Sequence, residues 1–418
     1  MVRKAYDWKG GAALDEHSKR KHKILREYFA QYLTVRCSIP RQSQFRLAIV
    51  DGFCGGGIYK CGSKGSPVIF IEELRYGIER INLNRASQGL GALEIECLLI
   101  FNDAERDAIE LLKDNIASLL GEIAQNVPKL HLRVECLSDT FEGAFYRIKE
   151  LLQIGRFPNT IFNLDQYGHS RVELATLRDI MNSFRSPEIF YTFSIQSLIS
   201  FLHQFDREKL LRQLSPFGLK NDDLGDLDPL MSKAQWLSSA ERLVFETFKG
   251  CASYVTPFSI HNPKGWRYWF IHFANNYRAR QVYNNVLHGN SSAQAHFGRS
   301  GLQMLSFDPS HETGSLYLFD DSGRAQALQQ LMVDIPRIVA DSGDAMKVLE
   351  FYQATYNETP AHADDIHKAI IENPELEVLT PAGGERRKAN TIDTEDILKL
   401  KSQRSFFPLF IKRESTIE

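Results

Sequence analysis

The chain has 418 residues, of which 43% are hydrophobic and 24% are charged, and its formal net charge at pH 7 is −2. This is the composition of a globular protein with two or three folded units. A charge so close to zero excludes a general attraction to nucleic acid, so any such binding must come from local patches. There is no apolar run of membrane-spanning length and no signal-peptide core at residues 1–7, so we predict a cytoplasmic protein without membrane contact.

The N-terminal unit, residues 1–45, is predicted to contain an amphipathic helix over 15–34 with a basic side. Such a charged run is commonly a solvated helix face. The functional alternative is an edge that contacts phosphates and lies over the ligand loop described next. The basic residues that would do so are Lys19, Arg20, Lys21 and Lys23.

Residues 46–57 form the stretch around which the chain is organised. Apolar residues run from Leu47 to Val50, end at Asp51, and are followed by Gly52, Phe53 and a glycine run at 55–57. A buried parallel strand that leads into a glycine loop is where an open α/β sheet binds a nucleotide-like ligand. No phosphate-loop motif is present, and a carboxylate beside the loop suits a positive or neutral ligand such as S-adenosylmethionine. The alternative is an ordinary tight turn.

Strands and helices alternate over 46–200, which predicts a parallel sheet covered by helices on both faces. The predicted strands after the first are 95–101, 131–136, 160–164 and 189–193, and the predicted helices are 66–82, 104–120, 140–152 and a Ser170-capped helix to 184. The fold class is therefore a Rossmann-like, doubly wound, mostly parallel α/β sheet.

Each of the first four predicted strands is followed by an acidic residue, namely Asp51, Asp103, Asp139 or Asp165. Because parallel strands end at one edge of a sheet, these four carboxylates are predicted to line the edge where ligands bind. The alternative is that they cap the helices that follow. His169, beside the last of them, is interpreted as structural.

The α/β domain is predicted to extend to residue 320. It includes a helical insertion around 205–250 with a mobile loop at 220–226, a strand pair at 252–260 and 266–273, and a covering helix from 277. Residues 290–320 have no assignable pattern.

Residues 321–418 are predicted to form a winged helix, with helices at 322–341, 346–356 and 359–370 and a hairpin between 377–380 and 391–392. The hairpin has a basic tip at Arg386, Arg387 and Lys388. Winged helices bind nucleic acid, but they also serve as protein-interaction modules. Both alternatives remain open.

The six cysteines include no CxxC pair. Cys54 and Cys61 flank the glycine loop, but no His/Cys quartet completes a site around them, so we predict no metal centre.

Several motifs make the chain resemble the three-Cys-motif partner family of prokaryotes. They are His17-Ser18 with Lys21, Ile24, Leu25 and Tyr28; Asp51 to Gly57 with Tyr59; Gly65-Ser66-Pro67; Leu164-Asp165-Gln166-Tyr167-Gly168; and, in the tail, Gly384, Arg387, Asn390, Gln403 and Ser405-Phe406-Phe407. The resemblance implies a class I S-adenosylmethionine methyltransferase-like fold and a partner protein encoded alongside, in mobile or phage-related loci.

By this resemblance, cofactor contacts are expected at a defined set of residues. The methionine end would meet Asp51, Gly52, Phe53, Gly55 and Gly57, the ribose would meet Asp103, and the adenine would meet Asp139.

The candidate catalytic residues are Asp165, Gln166 and Tyr167, which resemble the loop of enzymes that methylate exocyclic base amines. There an acceptor group holds the amine and an aromatic ring stacks on the base. Gln166 departs from the pattern, which has proline at this position.

We therefore predict an S-adenosylmethionine-dependent methyltransferase that acts on a nucleic acid base amine. The alternatives are an inactive methyltransferase-like adaptor that binds a partner protein or nucleic acid, and a metal-dependent nuclease.

Overall fold

The computed structural model describes residues 7–8, 10–166, 168–225, 227–261, 267–290, 296–297, 316–317 and 321–401. The strands are β1 Gln44–Asp51, β2 Glu94–Asn102, β3 Leu130–Leu137, β4 Asn159–Leu164, β5 Ser186–Phe193, β6 Tyr254–Thr256, β7 Ser259–His261, β8 Arg267–Ala274, β9 His296–Phe297, β10 Leu316–Tyr317, β11 Ala345–Lys347, β12 Leu376–Leu379 and β13 Ile397–Leu400.

The helices alternate with these strands through the first part of the chain. They are α1 Glu16–Arg36, α2 Ser66–Ser87, α3 Arg106–Asn126, α4 Phe141–Gly155, α5 Leu174–Ser183, α6 Ile195–Ile199, α7 Arg207–Leu214, α8 Lys233–Lys249, α9 Tyr277–Gly289, α10 Asp321–Asp341, α11 Val348–Thr355 and α12 Ala363–Glu372.

The central sheet has the order β3-β2-β1-β4-β5-β8-β6, and β7 also pairs with β8. Neighbouring strands among β1–β5 are parallel, whereas β8 runs antiparallel to β5, β6 and β7. The chain order reverses between β1 and β4, and ligands of open α/β sheets bind at such a switch point, outside the carboxyl ends of the strands. This arrangement confirms the predicted Rossmann-like, mostly parallel sheet.

The residues of β1 show why helices cover both faces of the sheet. Leu47 and Ile49 belong to one apolar cluster, whereas Ala48 and Val50 belong to another, and all four are fully buried. Successive side chains of a strand point to opposite faces, so an uninterrupted apolar run requires cover on both sides.

Residues 321–401 fold as a winged helix. The elements α10, β11, α11, α12, β12 and β13 follow each other along the chain, and the three strands form a sheet of order β11-β13-β12. The fold prediction is confirmed here, although the predicted helix at 346–356 is divided into β11 and α11. The predicted second strand of the hairpin lies later, at Ile397–Leu400, because the fully buried Asp396 accepts hydrogen bonds from Arg386 and from the backbone N–H of Asp393.

Two further details differ from the sequence prediction. Ser170 does not cap α5, which begins at Leu174, because the Gln166 side chain accepts hydrogen bonds from the backbone N–H groups of Arg171 and Val172 and keeps this segment non-helical. Within 220–226, residues 221–224 form a 3₁₀ turn in which the Asp223 carboxylate accepts from the Lys220 N–H at 2.7 Å.

Helix α9 joins the winged helix to the sheet. Asn284 Nδ2 donates to the carbonyl of Ala361 at 2.9 Å, Gln281 donates to the Tyr356 hydroxyl at 2.8 Å, and Arg280 donates to the carbonyl of Thr359. One apolar cluster runs from α1 through the sheet and α9 into the winged helix. In the described ranges, no helix is both long and apolar enough to cross a bilayer.

Candidate active site

Two asparagines connect the carboxyl ends of the central strands. Asn163 Nδ2 donates to Asp51 Oδ1 at 3.1 Å, which joins β4 to β1. Asn102 Nδ2 donates to the carbonyls of Gly52 at 3.2 Å and Asp139 at 3.0 Å, which joins β2 to the segments that follow β1 and β3. The acidic strand ends therefore form one edge whose backbone is fixed by buried amides.

Asp51 is fully buried at the switch point between β1 and β4. Burial raises the pKa of its carboxyl to about 7. Asn163 and the Phe53 N–H donate to Oδ1, and the nearby Ser66 side chain opposes the rise in this pKa, but no described residue meets the distance and angle of a hydrogen bond to Oδ2. A buried carboxylate oxygen without a hydrogen bond raises the free energy of the folded state. A ligand with a positive charge or N–H donors would supply the missing interaction.

The glycines after Asp51 are required by the packing around them. A Cβ at Gly52 would lie 2.7 Å from the Phe141 ring, and a Cβ at Gly57, where φ is +80°, would lie 2.7 Å from Leu112. The loop is therefore held in one shape against α3 and α4. A cofactor role for Gly52, Phe53, Gly55 and Gly57 stays a prediction.

The indole of Trp8 covers the glycine loop. A Cβ at Gly55 would lie 2.1 Å from the Trp8 ring, and one at Gly56 would lie 2.7 Å from it. The ring also lies 5.2 Å from that of Tyr59, and the Lys60 N–H donates to the Ala12 carbonyl at 2.9 Å. Gly55 is one of the glycines expected to meet the cofactor, but in the structure the space above Gly55 and Gly56 holds the N-terminal segment.

The next two acids differ in their surroundings. Asp103 Oδ2 accepts from the Gly55 N–H at 2.9 Å, and Oδ1 accepts from the Glu105 N–H at 2.9 Å. Asp139 is exposed and accepts from the Thr140 N–H at 2.7 Å. Asp103 therefore connects the end of β2 to the glycine loop, while the exposed Asp139 carboxylate accepts from its neighbour Thr140 and only its backbone carbonyl is bonded to β2.

Asp165, at the end of β4, is paired with Lys21 of α1. The Lys21 side chain is 6% exposed and that of Asp165 is 25% exposed. Burial opposes ionisation of Asp165, but the charge and hydrogen bond of Lys21 outweigh it, and the pKa of Asp165 lies below its ordinary value. Lys21 was predicted to contact phosphate at the surface. The structure corrects this, because the ammonium is buried against Asp165.

Gln166 is buried, and its side chain holds the loop after β4. Its Nε2 donates to the Tyr191 hydroxyl at 2.6 Å, and its Oε1 accepts from Arg171 and Val172. The candidate catalytic role is not supported for Gln166, because these three bonds occupy its amide inside the protein. A proline here could make none of them. Tyr167 and the tail motif at 403–407 lie outside the described residues.

The inward face of α1 carries polar residues whose burial was not predicted from the sequence. His22 is buried beside Lys21, its ring lies 5.8 Å from that of Tyr59, and burial lowers its pKa to about 4, so it is neutral at pH 7. His17 stacks on Tyr268 with ring centroids 4.5 Å apart. The available signal was spacing, because His17, Lys21 and His22 fall on the helix face of the apolar residues Ile24, Leu25 and Tyr28.

The other basic residues predicted to bind nucleic acid divide into exposed and engaged groups. Lys19 and Lys23 are exposed on α1, although each has a glutamate neighbour, and Arg20 is half-buried. On the wing, Arg387 and Lys388 are exposed. Arg386 instead forms two hydrogen bonds with the fully buried Asp396, which makes it a structural residue of the wing.

Cys54 is buried and Cys61 is exposed. Among the residues that the structure describes, no three His, Cys, Asp or Glu side chains are grouped so that they could hold a metal ion.

Residues 306–383 match the family model of the GMT-like wHTH domain, which covers less than half of the chain. No curated protein matches this chain. Among solved structures, one that is similar is assigned as a sarcosine dimethylglycine methyltransferase from Galdieria sulphuraria, with 9% identity over 59% of this chain and 85% of that one and a TM-score of 0.22.

A second similar structure is assigned as a class I S-adenosylmethionine-dependent methyltransferase from Listeria monocytogenes. It has 9% identity over 63% of each chain and a TM-score of 0.24. At these values the fold assignment rests on the strand order of this chain itself: a Rossmann-like α/β domain followed by a winged helix.

Proposed function

We propose that this protein is an S-adenosylmethionine-dependent methyltransferase. The observation that carries the proposal is Asp51, a fully buried carboxylate at the switch point with one oxygen to which none of the described residues donates a hydrogen bond. The ammonium group of S-adenosylmethionine fits this oxygen in charge and in donor chemistry. The cofactor supplies an electrophilic methyl group when it is bound.

The neighbouring carboxylates suit the remaining parts of the cofactor. Asp103 retains acceptor capacity beyond its two backbone bonds and would accept from the ribose hydroxyls. Asp139 is exposed at the same edge and would accept from the adenine amino group. Gly55 would contribute by holding the Asp103 carboxylate through its backbone N–H, since the Trp8 ring fills the space above this glycine.

Asp165 would hold the acceptor amine. Lys21 favours the ionised form of this carboxyl, so Asp165 is a hydrogen-bond acceptor at neutral pH, and an amine that donates to it is oriented before transfer. We propose a nucleic acid base amine as the acceptor, with Tyr167 as the stacking ring. The resemblance to the three-Cys-motif partner family supports a mobile-element or phage-defence setting and a partner protein encoded alongside.

Calorimetry with S-adenosylmethionine tests the cofactor proposal directly. We expect one site per chain with micromolar affinity, and transfer of a labelled methyl group to total RNA or DNA. The absence of heat and of thermal stabilisation at millimolar cofactor would overturn the methyltransferase proposal.

A second candidate function is an adaptor that keeps the fold without catalysis. It is favoured by Gln166, which stands where the related loops have proline and is fully engaged by Tyr191, Arg171 and Val172. Cofactor binding with every RNA and DNA fraction unlabelled would favour this second candidate.

The winged helix is consistent with nucleic acid binding, and its charges indicate where contact would occur. Residues 321–401 carry 15 acidic and nine basic side chains, a net charge of −6. The basic exception is the wing, where Arg387 is 84% exposed on its side chain and Lys388 is exposed. We therefore propose that the wing, together with Lys19 and Lys23, contacts the phosphates.

Replacing Arg387 and Lys388 with alanine is expected to weaken binding to a 20-base-pair DNA or a single-stranded RNA several-fold. The slope of log K against log salt should fall by about 2 in magnitude, because each lost phosphate contact removes about one released counterion. Fluorescence anisotropy at several salt concentrations measures both quantities. Lys113→Ala, an exposed lysine on α3, is the matched control, and equal slopes for the two variants would rule out the wing as the contact.

A further inference from the structure

A cavity of about 380 Å³ lies at the amino ends of β4 and β5, on the opposite edge of the sheet from the acidic strand ends. Helices α1 and α9 form its sides, through residues such as Tyr32, Arg36, Tyr277 and Arg278. Its volume is that of a small-molecule site. A larger hollow of about 960 Å³ also exists near β2 and β3, but there charged groups pair with each other, as Arg46 does with Glu96 at 2.6 Å.

The deepest charged group in this cavity is Glu188, which is 5% exposed. Tyr28 donates its hydroxyl proton to Oε2, and His272 Nε2 lies 3.2 Å from the same oxygen. No described residue donates a hydrogen bond to Oε1. A carboxylate oxygen that lines a cavity without a donor, on a residue that is otherwise buried, is a site for an N–H group of a ligand.

The walls of the cavity are aromatic and carry further unused polar atoms. Tyr28, Tyr32, Phe45 and Tyr277 line it. Tyr32 is 4% exposed, and its hydroxyl makes no hydrogen bond within the described ranges. Gln42 Oε1 is also buried without a partner in the same part of the structure. Rings with unsatisfied donors and acceptors suit a flat heterocycle with polar edges.

Two guanidinium groups lie at the outer part of the cavity. Arg36 donates to Asn159 Oδ1, and the exposed Arg278 donates to Gln281 Oε1 at 3.0 Å. A guanidinium has five N–H donors, so each retains donors for an anion. Arginine is well suited to phosphate because its planar fork matches the phosphate oxygens.

We propose that this cavity binds a mononucleotide, with an N–H of its base donated to Glu188, the base between the tyrosine rings, and the phosphate at Arg36 and Arg278. The site is separate from the proposed cofactor site in sequence and in position. A nucleotide would there connect α1, which carries Lys21 toward Asp165, with α9, which holds the winged helix.

The experiment is calorimetry of the full-length protein with the four ribonucleoside 5′-monophosphates, and with inorganic phosphate as a separate probe. We expect at least one nucleotide to bind, and Arg278→Ala to weaken it about tenfold, because the exposed guanidinium loses a charge-assisted hydrogen bond to the phosphate. Tyr32→Phe, which removes only the unpartnered hydroxyl, should weaken it a few-fold.

Two controls separate this site from the cofactor site. Arg106→Ala, an exposed arginine on α3, and Asp103→Asn should both leave nucleotide binding unchanged, and saturation with S-adenosylhomocysteine should not displace the nucleotide. Loss of binding in Asp103→Asn, or displacement by S-adenosylhomocysteine, would overturn the proposal, because the nucleotide would then occupy the strand-end site. The proposal would also fail if no nucleotide bound at millimolar concentration, or if phosphate alone bound as tightly.

Discussion

Lys21→Met is expected to lower the free energy of unfolding by about 3 kcal/mol at pH 7. Removing one partner of a buried ion pair leaves the other charge without compensation, which costs about 3–5 kcal/mol, and the 25% exposure of the Asp165 side chain reduces that cost. Chemical denaturation at pH 7 measures the change. Methionine keeps the length of the side chain, so the loss reports the charge rather than a cavity.

The stability lost in Lys21→Met depends on pH, and its direction follows from the pKa of Asp165. In the wild type the pKa of Asp165 is lowered by Lys21, so its stabilising contribution is present above the unfolded pKa and is lost as the pH falls through the folded pKa. Without Lys21 the two largest lowering causes are gone, and the effect of burial, which raises the pKa, is opposed only by the smaller effects of Thr192 and His22. The variant should therefore lose more stability at pH 8 than at pH 4.

Two variants complete the test of the pair. Lys21→Met combined with Asp165→Asn should recover most of the lost stability, because no buried charge then remains unpaired. Lys19→Met, on the exposed side of the same helix, should leave the free energy of unfolding nearly unchanged, because solvent screens its pair with Glu16. A Lys21 variant as stable as the Lys19 variant would show that the pair contributes nothing.

Asp51→Asn is expected to abolish S-adenosylmethionine binding and, at the same time, to stabilise the protein at pH 8. The pKa of Asp51 is raised to about 7 by burial, so ionising it in the folded state has a free-energy cost on the order of 4 kcal/mol at pH 8. Asparagine keeps the shape and can still accept from Asn163. A gain of stability together with a loss of binding is typical of a residue kept for function.

The raised pKa of Asp51 determines how both the stability of the protein and its affinity for the cofactor change with pH. Between pH 4 and 7 the folded protein binds more protons at this position than the unfolded chain, so Asp51 makes the wild type less stable as the pH rises through this window. A cationic ligand requires the ionised form, so its affinity should fall on the order of tenfold from pH 7 to pH 5.5.

Thermal unfolding and calorimetry across this pH range measure both profiles. Asp114→Asn, an exposed acid on α3, is the matched control and should leave both unchanged. If Asp51→Asn bound the cofactor as tightly as the wild type, Asp51 would not be the ammonium site.

The strand ends could be predicted from the sequence because the signal is local. An apolar run such as 47–50 predicts a strand covered on both faces, and in a parallel sheet its last residue must lie at the common edge. This pattern predicts the positions of the four strand-end acids, Asp51, Asp103, Asp139 and Asp165. The winged helix could be predicted in the same way, from its helix caps and the spacing of its apolar residues.

The side-chain partners could not be predicted, because they come from distant parts of the chain. Lys21 pairs with a residue 144 positions away, and Gln166 with one 25 positions away, so no window of the sequence contains either pair. The basic residues at 17–23 are typical of a solvated helix face, yet the helical periodicity places Lys21 on the buried side of α1. The contact of Trp8 with Gly55 could not be predicted either. A glycine in the sequence indicates that a Cβ would not fit, but it does not indicate which group occupies that space.

The contacts of α9 have a consequence for how the chain can be divided. Arg280 is fully buried, donates to the Thr359 carbonyl, and lies 4.4 Å from the Tyr356 ring centroid, so its only described acceptor comes from the winged helix. A fragment that ends before residue 321 would remove the acceptors of this guanidinium and of the Gln281 and Asn284 side chains. The two halves are thus poor candidates for separate expression. A movement of one would reach the other through α9 and through the bonds of Asn357 and Glu358 to β6 and α8.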